Sequence, residues 1–162
     1  MIITTPNLQL VPVQRDHAEA VLSDRAALAG LLGGIRVPDG WPQFPQAFAA
    51  PRARDLGGYF FIDSRAGALV GNGGYKGPPD AGGGVEIGYE IAPAFRNRGF
   101  ASEAARALIA HAFARRDVRV VRAHTLGEAN ASNRVLRKVG MTFAAETPAR
   151  LWRFEVRRPD QH

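Results

Sequence analysis

The sequence predicts a mixed α/β (α+β) fold in which helices accompany one central sheet that is mostly antiparallel. Its elements follow in the order strand, two helices, three strands, helix, strand, helix and two strands. A short turn separates the first two of three consecutive strands and a longer connection leads to the third, which favours antiparallel hairpins. The strand–helix–strand crossover over residues 85–125 instead demands parallel neighbours. The predicted sheet therefore has about seven strands and contains one parallel pair.

The first elements are short and are bounded by proline and glycine. Residues 8–13 alternate in the manner of a strand, and Pro12 limits this strand to an edge position or lies at its end. Residues 15–24 carry apolar side chains at helical spacing. Residues 25–32 predict a second short helix, which ends at a pair of glycines.

The middle of the chain predicts a loop followed by three strands. Residues 36–58 contain four prolines and predict a loop with buried aromatic side chains, namely Trp41, Phe44 and Phe48. Residues 58–63 and 68–75 form a predicted hairpin. Residues 77–84 are rich in glycine and proline and predict a mobile connection to the next strand, 85–91.

The second half predicts two helices and three strands with no repeat and no domain boundary. Apolar residues at helical spacing predict a helix over 102–114, and β-branched residues predict a strand over 118–125. The remaining predicted elements are a helix over 131–139, closed by Gly140, and strands over 142–146 and 151–156. A single domain over residues 1–162 follows.

Composition excludes several classes of protein. The 162 residues contain no cysteine, which excludes disulfides, thiol nucleophiles and thiolate metal sites. The four histidines lack metal-ligand spacing, so no metal site is expected. Apolar runs long enough for a bilayer are missing, and the first residues lack a basic segment that leads into an apolar one. We therefore expect a cytoplasmic protein without a membrane partner.

Positive charge is concentrated in the second half of the chain. Residues 1–95 hold 7 Lys or Arg against 9 Asp or Glu, whereas residues 96–162 hold 14 against 6. Such a field attracts a polyanionic ligand. A nucleic-acid partner is not expected, because basic residues are not interleaved with aromatics in a recognisable module.

Residues 96–101 predict a phosphate-binding turn at the start of a helix. The first N–H groups of a helix lack backbone partners, and the helix dipole favours negative charge there. Gly99 and Ala101 carry too little side chain to block an approaching anion, and two arginines add positive charge. A glycine before a helix also serves as a simple loop residue, so the turn alone leaves both interpretations open. No Gly-x-Gly-x-x-Gly motif occurs, because the third glycine is missing, which argues against a dinucleotide-binding dehydrogenase. The P-loop motif is also missing, which argues against a P-loop NTPase.

Three motifs together resemble the GNAT acetyltransferases, most closely the branch that acetylates the N-termini of ribosomal and other proteins. They are Val-Glu-Ile-Gly-Tyr-Glu-Ile-Ala-Pro at 85–93, Arg-Asn-Arg-Gly-Phe-Ala-Ser-Glu-Ala at 96–104, and Asn-Ala-Ser-Asn-Arg-Val-Leu-Arg-Lys-Val-Gly-Met at 130–141. The resemblance implies a GNAT-like sheet with helices on both faces, whose parallel pair splays apart. It also implies that acetyl-CoA is the acetyl donor and that no metal is needed.

The resemblance further implies where acetyl-CoA binds. Its pantetheine arm pairs with exposed backbone of the strand before the turn, and its diphosphate lies on the turn itself. The implied residues are Tyr89, Ile91 and Ala92 on the strand, Arg96, Arg98, Gly99, Phe100 and Ala101 at the turn, and Asn130 and Asn133 near the last helix.

Three residues are candidates for the chemistry of acetyl transfer. An amine acceptor must lose a proton before it attacks, so a base is useful. Glu86 occupies the position of the general base in histone-acetylating members, and Glu90 is a second candidate. Both also fit an ion-paired glutamate on an exposed strand face. Ser132 matches a serine thought to bond the leaving thiol, although it also fits a helix cap.

The function expected from this resemblance is N-acetyl transfer from acetyl-CoA to a primary amine by direct attack in a ternary complex. A protein or peptide N-terminal α-amine is one possible acceptor. Two alternatives stay open, a small-molecule amine such as an antibiotic or polyamine, and a non-catalytic domain that binds acyl-CoA. The sequence does not distinguish a monomer from a homodimer.

Overall fold

A computed structural model of the chain describes residues 1–49, 56–126 and 131–159. Its strands are β1 (Ile3–Thr4), β2 (Gln9–Pro12), β3 (Gly58–Asp63), β4 (Ala68–Tyr75), β5 (Gly84–Ile91), β6 (Val120–Leu126), β7 (Thr142–Glu146) and β8 (Leu151–Arg157). Its α-helices are α1 (Arg15–Ser23), α2 (Arg25–Leu31), α3 (Phe100–Phe113) and α4 (Ala131–Lys138). Two short 3₁₀ helices cover Pro45–Phe48 and Pro93–Phe95.

The described strands form one eight-stranded sheet in the order β1-β2-β3-β4-β5-β6-β8-β7. Within it, β5 and β6 are parallel neighbours and the other neighbours are antiparallel. The predicted mixed sheet is thus confirmed. The strand beyond the predicted seven is β1, whose two residues pair with β2 and are too short to produce a recognisable alternation.

Helices pack on both faces of this sheet because its strands alternate apolar side chains between two core clusters. Along β3, Tyr59 and Phe61 belong to the cluster under α3 and α4, whereas Phe60 and Ile62 belong to the cluster under α1 and α2. Successive side chains of a strand point to opposite faces, which explains this division. Among the described helices, none combines the length and the apolar character that a membrane span requires.

The parallel pair β5–β6 is short. It covers the registers Gly84↔Val120, Val85↔Val121 and Glu86↔Arg122. Beyond Glu86, β5 continues along β4 as far as Ile91, and β6 continues along β8 as far as Leu126. A gap therefore opens between the two strands toward their carboxyl ends, and we call it the β5–β6 gap.

The connection between β4 and β5, which its composition predicts to be mobile, contains a hydrogen-bonded turn. The Asp80 carboxylate accepts the backbone N–H groups of Gly82 and Gly84, at 2.9 Å each. Its other oxygen lies 3.0 Å from Arg122 Nη1 on β6. The ion pair with Arg122 could not be predicted from composition, because Arg122 lies 42 positions from Asp80.

Strand β4 carries glycines where neighbouring backbone leaves no room for a side chain. A Cβ at Gly71 would collide with the carbonyl oxygen of Glu90 on β5. This close approach lies at the open end of the gap, where Gly71 is paired with Ile91 of β5. Gly71 is therefore a packing requirement of the sheet that forms one wall of the gap.

We expect Gly71→Ala to lower the free energy of unfolding by about 1–3 kcal/mol, because overpacking a tight site forces the backbone apart. Denaturant unfolding monitored by circular dichroism measures this loss. Gly30→Ala is the matched control, since Gly30 lies in α2 with no atom within 4 Å of a Cβ built there. The free energy of unfolding of this control should rise by up to about 1 kcal/mol, because alanine has a higher helix propensity than glycine. Equal effects of the two variants would contradict the packing explanation.

Candidate active site

The segment between β5 and α3 forms a turn with free backbone donors. Asn97 and Gly99 adopt left-handed conformations, with φ of 63° and 84°. The first α3 N–H group that bonds to a backbone carbonyl is that of Glu103, which donates to Gly99 at 3.1 Å. Within the described part of the chain, the N–H groups of Arg98, Gly99, Phe100 and Ala101 have no acceptor.

This turn is suited to an anion. Gly99 occupies the N-cap of α3, and no atom lies within 4 Å of a Cβ built on it. Unpaired N–H groups at a helix start and the helix dipole together favour negative charge. The turn thus has the geometry of a phosphate cradle.

The two arginines of the turn have different surroundings. Arg96 donates from Nε to the carbonyl of Ile91 at 3.1 Å and from Nη2 to Oε1 of Gln43 at 3.0 Å. The Arg98 guanidinium lies over the ring of Phe95, with 5.4 Å from Cζ to the ring centroid, and this side chain is exposed. Arg96 therefore links the turn to the preceding loop, whereas Arg98 remains open to a ligand.

Backbone groups of β5 face the β5–β6 gap. The carbonyl of Glu86 accepts Lys76 N–H at 2.9 Å, so this carbonyl points toward the β4 side. Backbone groups alternate sides along a strand, and the register between β4 and β5 runs without a shift. The groups of Tyr89 and Ile91 therefore point toward the gap, where β6 has already diverged. They are available to pair with an extended ligand.

Ala92 differs from the other strand residues predicted to bind the pantetheine arm. Its N–H donates to the carbonyl of Val70 at 2.8 Å, and its carbonyl accepts the N–H of Phe95 at 2.9 Å. Both backbone groups are engaged within the protein. Ala92 consequently ends the strand and positions the 3₁₀ helix before the turn.

The hydroxyl of Tyr89 is buried, and it has no hydrogen-bond partner among the residues that the structure describes. Burial raises the pKa of Tyr89 to about 12. The phenol is therefore protonated at neutral pH, so it can donate a hydrogen bond to an anionic or carbonyl group and can also accept one. It is unsuited to the role of a base.

Glu86 lies where the gap begins and is held on both oxygens. Lys76 Nζ is 2.7 Å from its Oε2, and His124 Nδ1 on β6 is 3.1 Å from its Oε1. Partial burial opposes ionisation, but the hydrogen bonds and charges of Lys76 and His124 outweigh it and hold the pKa of Glu86 below its usual range. The carboxylate is thus ionised and engaged.

Glu90 lies on the same face of β5, about 13 Å further along the strand by the usual rise per residue. Its carboxylate accepts the N–H groups of Gln43 at 2.9 Å and Phe44 at 3.1 Å. Burial raises the pKa of Glu90, although these two donors and Arg96 oppose that rise. Glu90 therefore anchors the loop before β3, and the structure does not bring it together with Glu86.

The loop anchored by Glu90 is also fixed by its aromatic side chains. Trp41 and Phe48 are buried as predicted, and Trp41 Nε1 donates to Oδ1 of Asn72 on β4 at 2.8 Å. Phe44 departs from the prediction, since 56% of it is exposed. Its N–H is tied to Glu90, which leaves its ring at the surface beside the open end of the gap.

Helix α4 places the remaining predicted residues differently. Asn133 is buried, and its Oδ1 accepts a hydrogen bond from the hydroxyl of Thr125 on β6. Ser132 is exposed in the first turn of α4. Asn130 lies outside the described residues. Asn133 therefore joins α4 to the β6 wall of the gap, and Ser132 is accessible from solvent.

Sequence reasoning missed His124, Lys76 and Thr125. The spacing of His124 from the other histidines indicates no metal site, and its ring contacts Glu86. Alternation along β6 places His124 two residues after Arg122, which is the register partner of Glu86. That register was the missing signal. The described residues contain no group of three or more His, Asp or Glu that could hold a metal ion.

Comparisons with known proteins agree with this fold. The sequence model described as acetyltransferase (GNAT) domain matches residues 7–142. No curated protein sequence matches the chain significantly. Among solved structures, a proposed ribosomal-protein-serine acetyltransferase from Vibrio cholerae is 20% identical over 98% of both chains, with a TM-score of 0.71.

Two further solved structures are similar at comparable levels. RimL, a ribosomal L7/L12 alpha-N-protein acetyltransferase in complex with coenzyme A, is 18% identical over 97% of this chain and 98% of its own, with a TM-score of 0.69. A GNAT-family acetyltransferase from Bacillus anthracis is 21% identical with the same coverage and a TM-score of 0.66. At these identities, the structural similarity establishes the shared fold.

We expect Glu90→Ala to increase amide hydrogen exchange at Gln43 and Phe44 by about tenfold or more, because both N–H groups lose a charged acceptor. Exchange measured by mass spectrometry or NMR tests this. Glu19→Ala, on the exposed side of α1, is the control and should leave both amides unchanged. Unaltered protection in Glu90→Ala would show that Glu90 does not anchor the loop.

Proposed function

Because this chain belongs to the GNAT acetyltransferase family, and is therefore an acyltransferase that acts on an amine, we propose that residues 96–101 hold the diphosphate of acetyl-CoA. The observation that carries this proposal is the set of free N–H groups at the start of α3, beside left-handed Asn97 and Gly99. The exposed Arg98 guanidinium adds positive charge at the same place. Acetyl-CoA, when bound, supplies the acetyl group as a reactive thioester.

The β5–β6 gap fits the remainder of the donor. The backbone groups of Tyr89 and Ile91 face the gap and offer strand-like hydrogen bonds to the pantetheine amides. Asn133 and Thr125 form the opposite wall. In this proposal the chain holds the donor between the phosphate cradle and the point where β5 and β6 meet, so that the thioester end lies near Glu86.

The acceptor that we propose is the α-amine of a protein or peptide, which attacks directly in a ternary complex. Two observations support this choice. The Asn-Ala-Ser-Asn motif resembles the branch that acetylates protein N-termini, and RimL and the Vibrio cholerae protein are named for ribosomal-protein acetylation. The chain has no cysteine to form a thioester intermediate. Ser132 is the proposed hydrogen-bond donor to the departing thiol.

We expect peptides with a free α-amine to accelerate thiol release from acetyl-CoA, because the amine displaces the thiolate and becomes an amide. A panel of peptides, polyamines and aminoglycosides, assayed with a thiol reagent and by mass spectrometry, tests the acceptor class. The matched control is each peptide with an acetylated N-terminus, which should be inert. Acceleration by the small amines alone would contradict the peptide assignment. Binding of acetyl-CoA without acceleration by any amine would contradict catalysis.

We expect Gly99→Val to weaken coenzyme A binding by about tenfold or more, since a β-branched residue strains a left-handed position and crowds the free N–H groups. Isothermal titration calorimetry measures the dissociation constant. Gly67→Val is the matched control, because Gly67 also has a positive φ, of 62°, and open space but lies in the β3–β4 turn. Equal affinities for the two variants would argue against residues 96–101 as the phosphate cradle.

A further inference from the structure

Glu86 and His124 meet across the start of the β5–β6 gap. Glu86 belongs to the last register pair of the two strands, and His124 follows the partner of Glu86 by two residues. Because side chains alternate along a strand, both lie on the sheet face that carries α1 and α2. Their contact of 3.1 Å joins Oε1 of Glu86 to Nδ1 of His124.

Lys76 fixes the glutamate in this contact. Its Nζ lies 2.7 Å from Oε2, the oxygen that His124 does not use. A Cβ at Gly88 would lie 3.0 Å from Lys76 Cε, so the absence of a side chain at Gly88 leaves room for Lys76 beside Glu86. The glutamate is consequently held from both sides and can orient the imidazole.

The contact also selects the tautomer of His124. An ionised carboxylate accepts hydrogen bonds, so Nδ1 of a neutral imidazole carries the proton that it donates to Glu86. The lone pair is then on Nε2. No described residue bonds to Nε2, and 22% of the side chain is exposed.

We propose that His124 is the general base of acetyl transfer, with Nε2 taking a proton from the acceptor ammonium, and that Glu86 is its positioning residue. This inference rests on the proposed function. The freed amine attacks the thioester carbonyl carbon, the C–N bond forms and the C–S bond breaks. The nitrogen's second proton goes to the leaving thiolate. The proton on Nε2 returns to solvent, so one ammonium and one thioester yield an amide, a thiol and a proton.

Glu86 itself is a poorer proton acceptor. Its two oxygens are engaged, and partial burial is outweighed by Lys76 and His124, so that the pKa of Glu86 lies below its usual range. A base works best when its pKa is close to the working pH, and imidazole is the side chain that ordinarily titrates there. The carboxylate serves better as the acceptor that orients the ring and stabilises the imidazolium.

The imidazole of His124 is also surrounded by charged side chains from neighbouring strands, and these are paired with one another. Arg122 on β6 is neutralised by Glu155 at 2.7 Å and Asp80 at 3.0 Å. Arg153 on β8 is the cross-strand neighbour of His124, and its Nε lies 3.6 Å from Glu155. Charged groups of this face near His124 include Lys76, Asp80, Glu86, Arg122, Arg153 and Glu155. Because Asp80 and Glu155 pair with Arg122, the Glu86 carboxylate contacts only Lys76 and His124 among these charged groups.

The test measures kcat/KM for a peptide acceptor in His124→Gln and Glu86→Gln. General-base catalysis contributes about 100- to 10,000-fold, so we expect His124→Gln to lose at least about 100-fold at neutral pH. Glu86→Gln, which retains the ring, should lose less, about tenfold. Coenzyme A affinity should be unchanged in both. His17→Gln, on α1 away from the gap, is the histidine control and should stay within about twofold of the unaltered protein.

A second acceptor separates catalysis from structural damage. The same peptide with an aminooxy group in place of its α-amine is neutral at neutral pH and does not need the first proton removed. We expect the penalty of His124→Gln to shrink at least about tenfold with this acceptor. An equal penalty with both acceptors would mean that His124 acts only in the structure, and overturns the inference.

The remaining outcomes distinguish this inference from the function on which it rests. If the unaltered protein acetylates peptides and His124→Gln stays within threefold, the inference fails and the proposed function stands. If Glu86→Gln loses far more than His124→Gln, Glu86 is the direct base and the inference fails again. If the unaltered protein accepts no amine, the proposed function fails and the inference fails with it.

Discussion

The candidate active site depends on the fact that β5 and β6 stop pairing before either strand ends. The two strands share three registers and then separate, although neither strand stops there. Each continues because its other neighbour, β4 or β8, holds it by a regular antiparallel ladder. Unpaired backbone groups inside a sheet are costly, so the groups of Tyr89 and Ile91 that face the gap are the ones that would gain from pairing with an extended ligand.

Because the strands separate, the glutamates at the two ends of the gap have different partners. At the closed end the strands are near enough for Glu86 on one to contact His124 on the other. At the open end, Glu90 is four residues further along β5 and contacts the loop of Gln43 instead. Arg96 bonds to that loop from the phosphate turn, so the loop is tied both to the strand and to the cradle.

Local signals were sufficient to predict the helices, the hairpin and the turn at 96–101. The turn was predictable because its donors belong to consecutive residues and its small side chains are visible in the sequence. The face of β5 that carries Glu86 and Glu90 was equally visible. What their carboxylates contact was not, since Gln43 and His124 are 47 and 38 positions away and depend on register and loop packing. Phe44 was predicted to be buried, but its fixed backbone leaves the ring outside.

The three register pairs between β5 and β6 also connect two parts of the sheet. They join a five-stranded part, β1 to β5, to a three-stranded part made of β6, β8 and β7. Three register pairs join these parts, against five between β4 and β5 and seven between β6 and β8, so hydrogen bonding resists separation least here among these three ladders. A molecule that formed hydrogen bonds to both β5 and β6 would hold the two parts of the sheet together. Binding of such a molecule would therefore raise the free energy of separating the two parts.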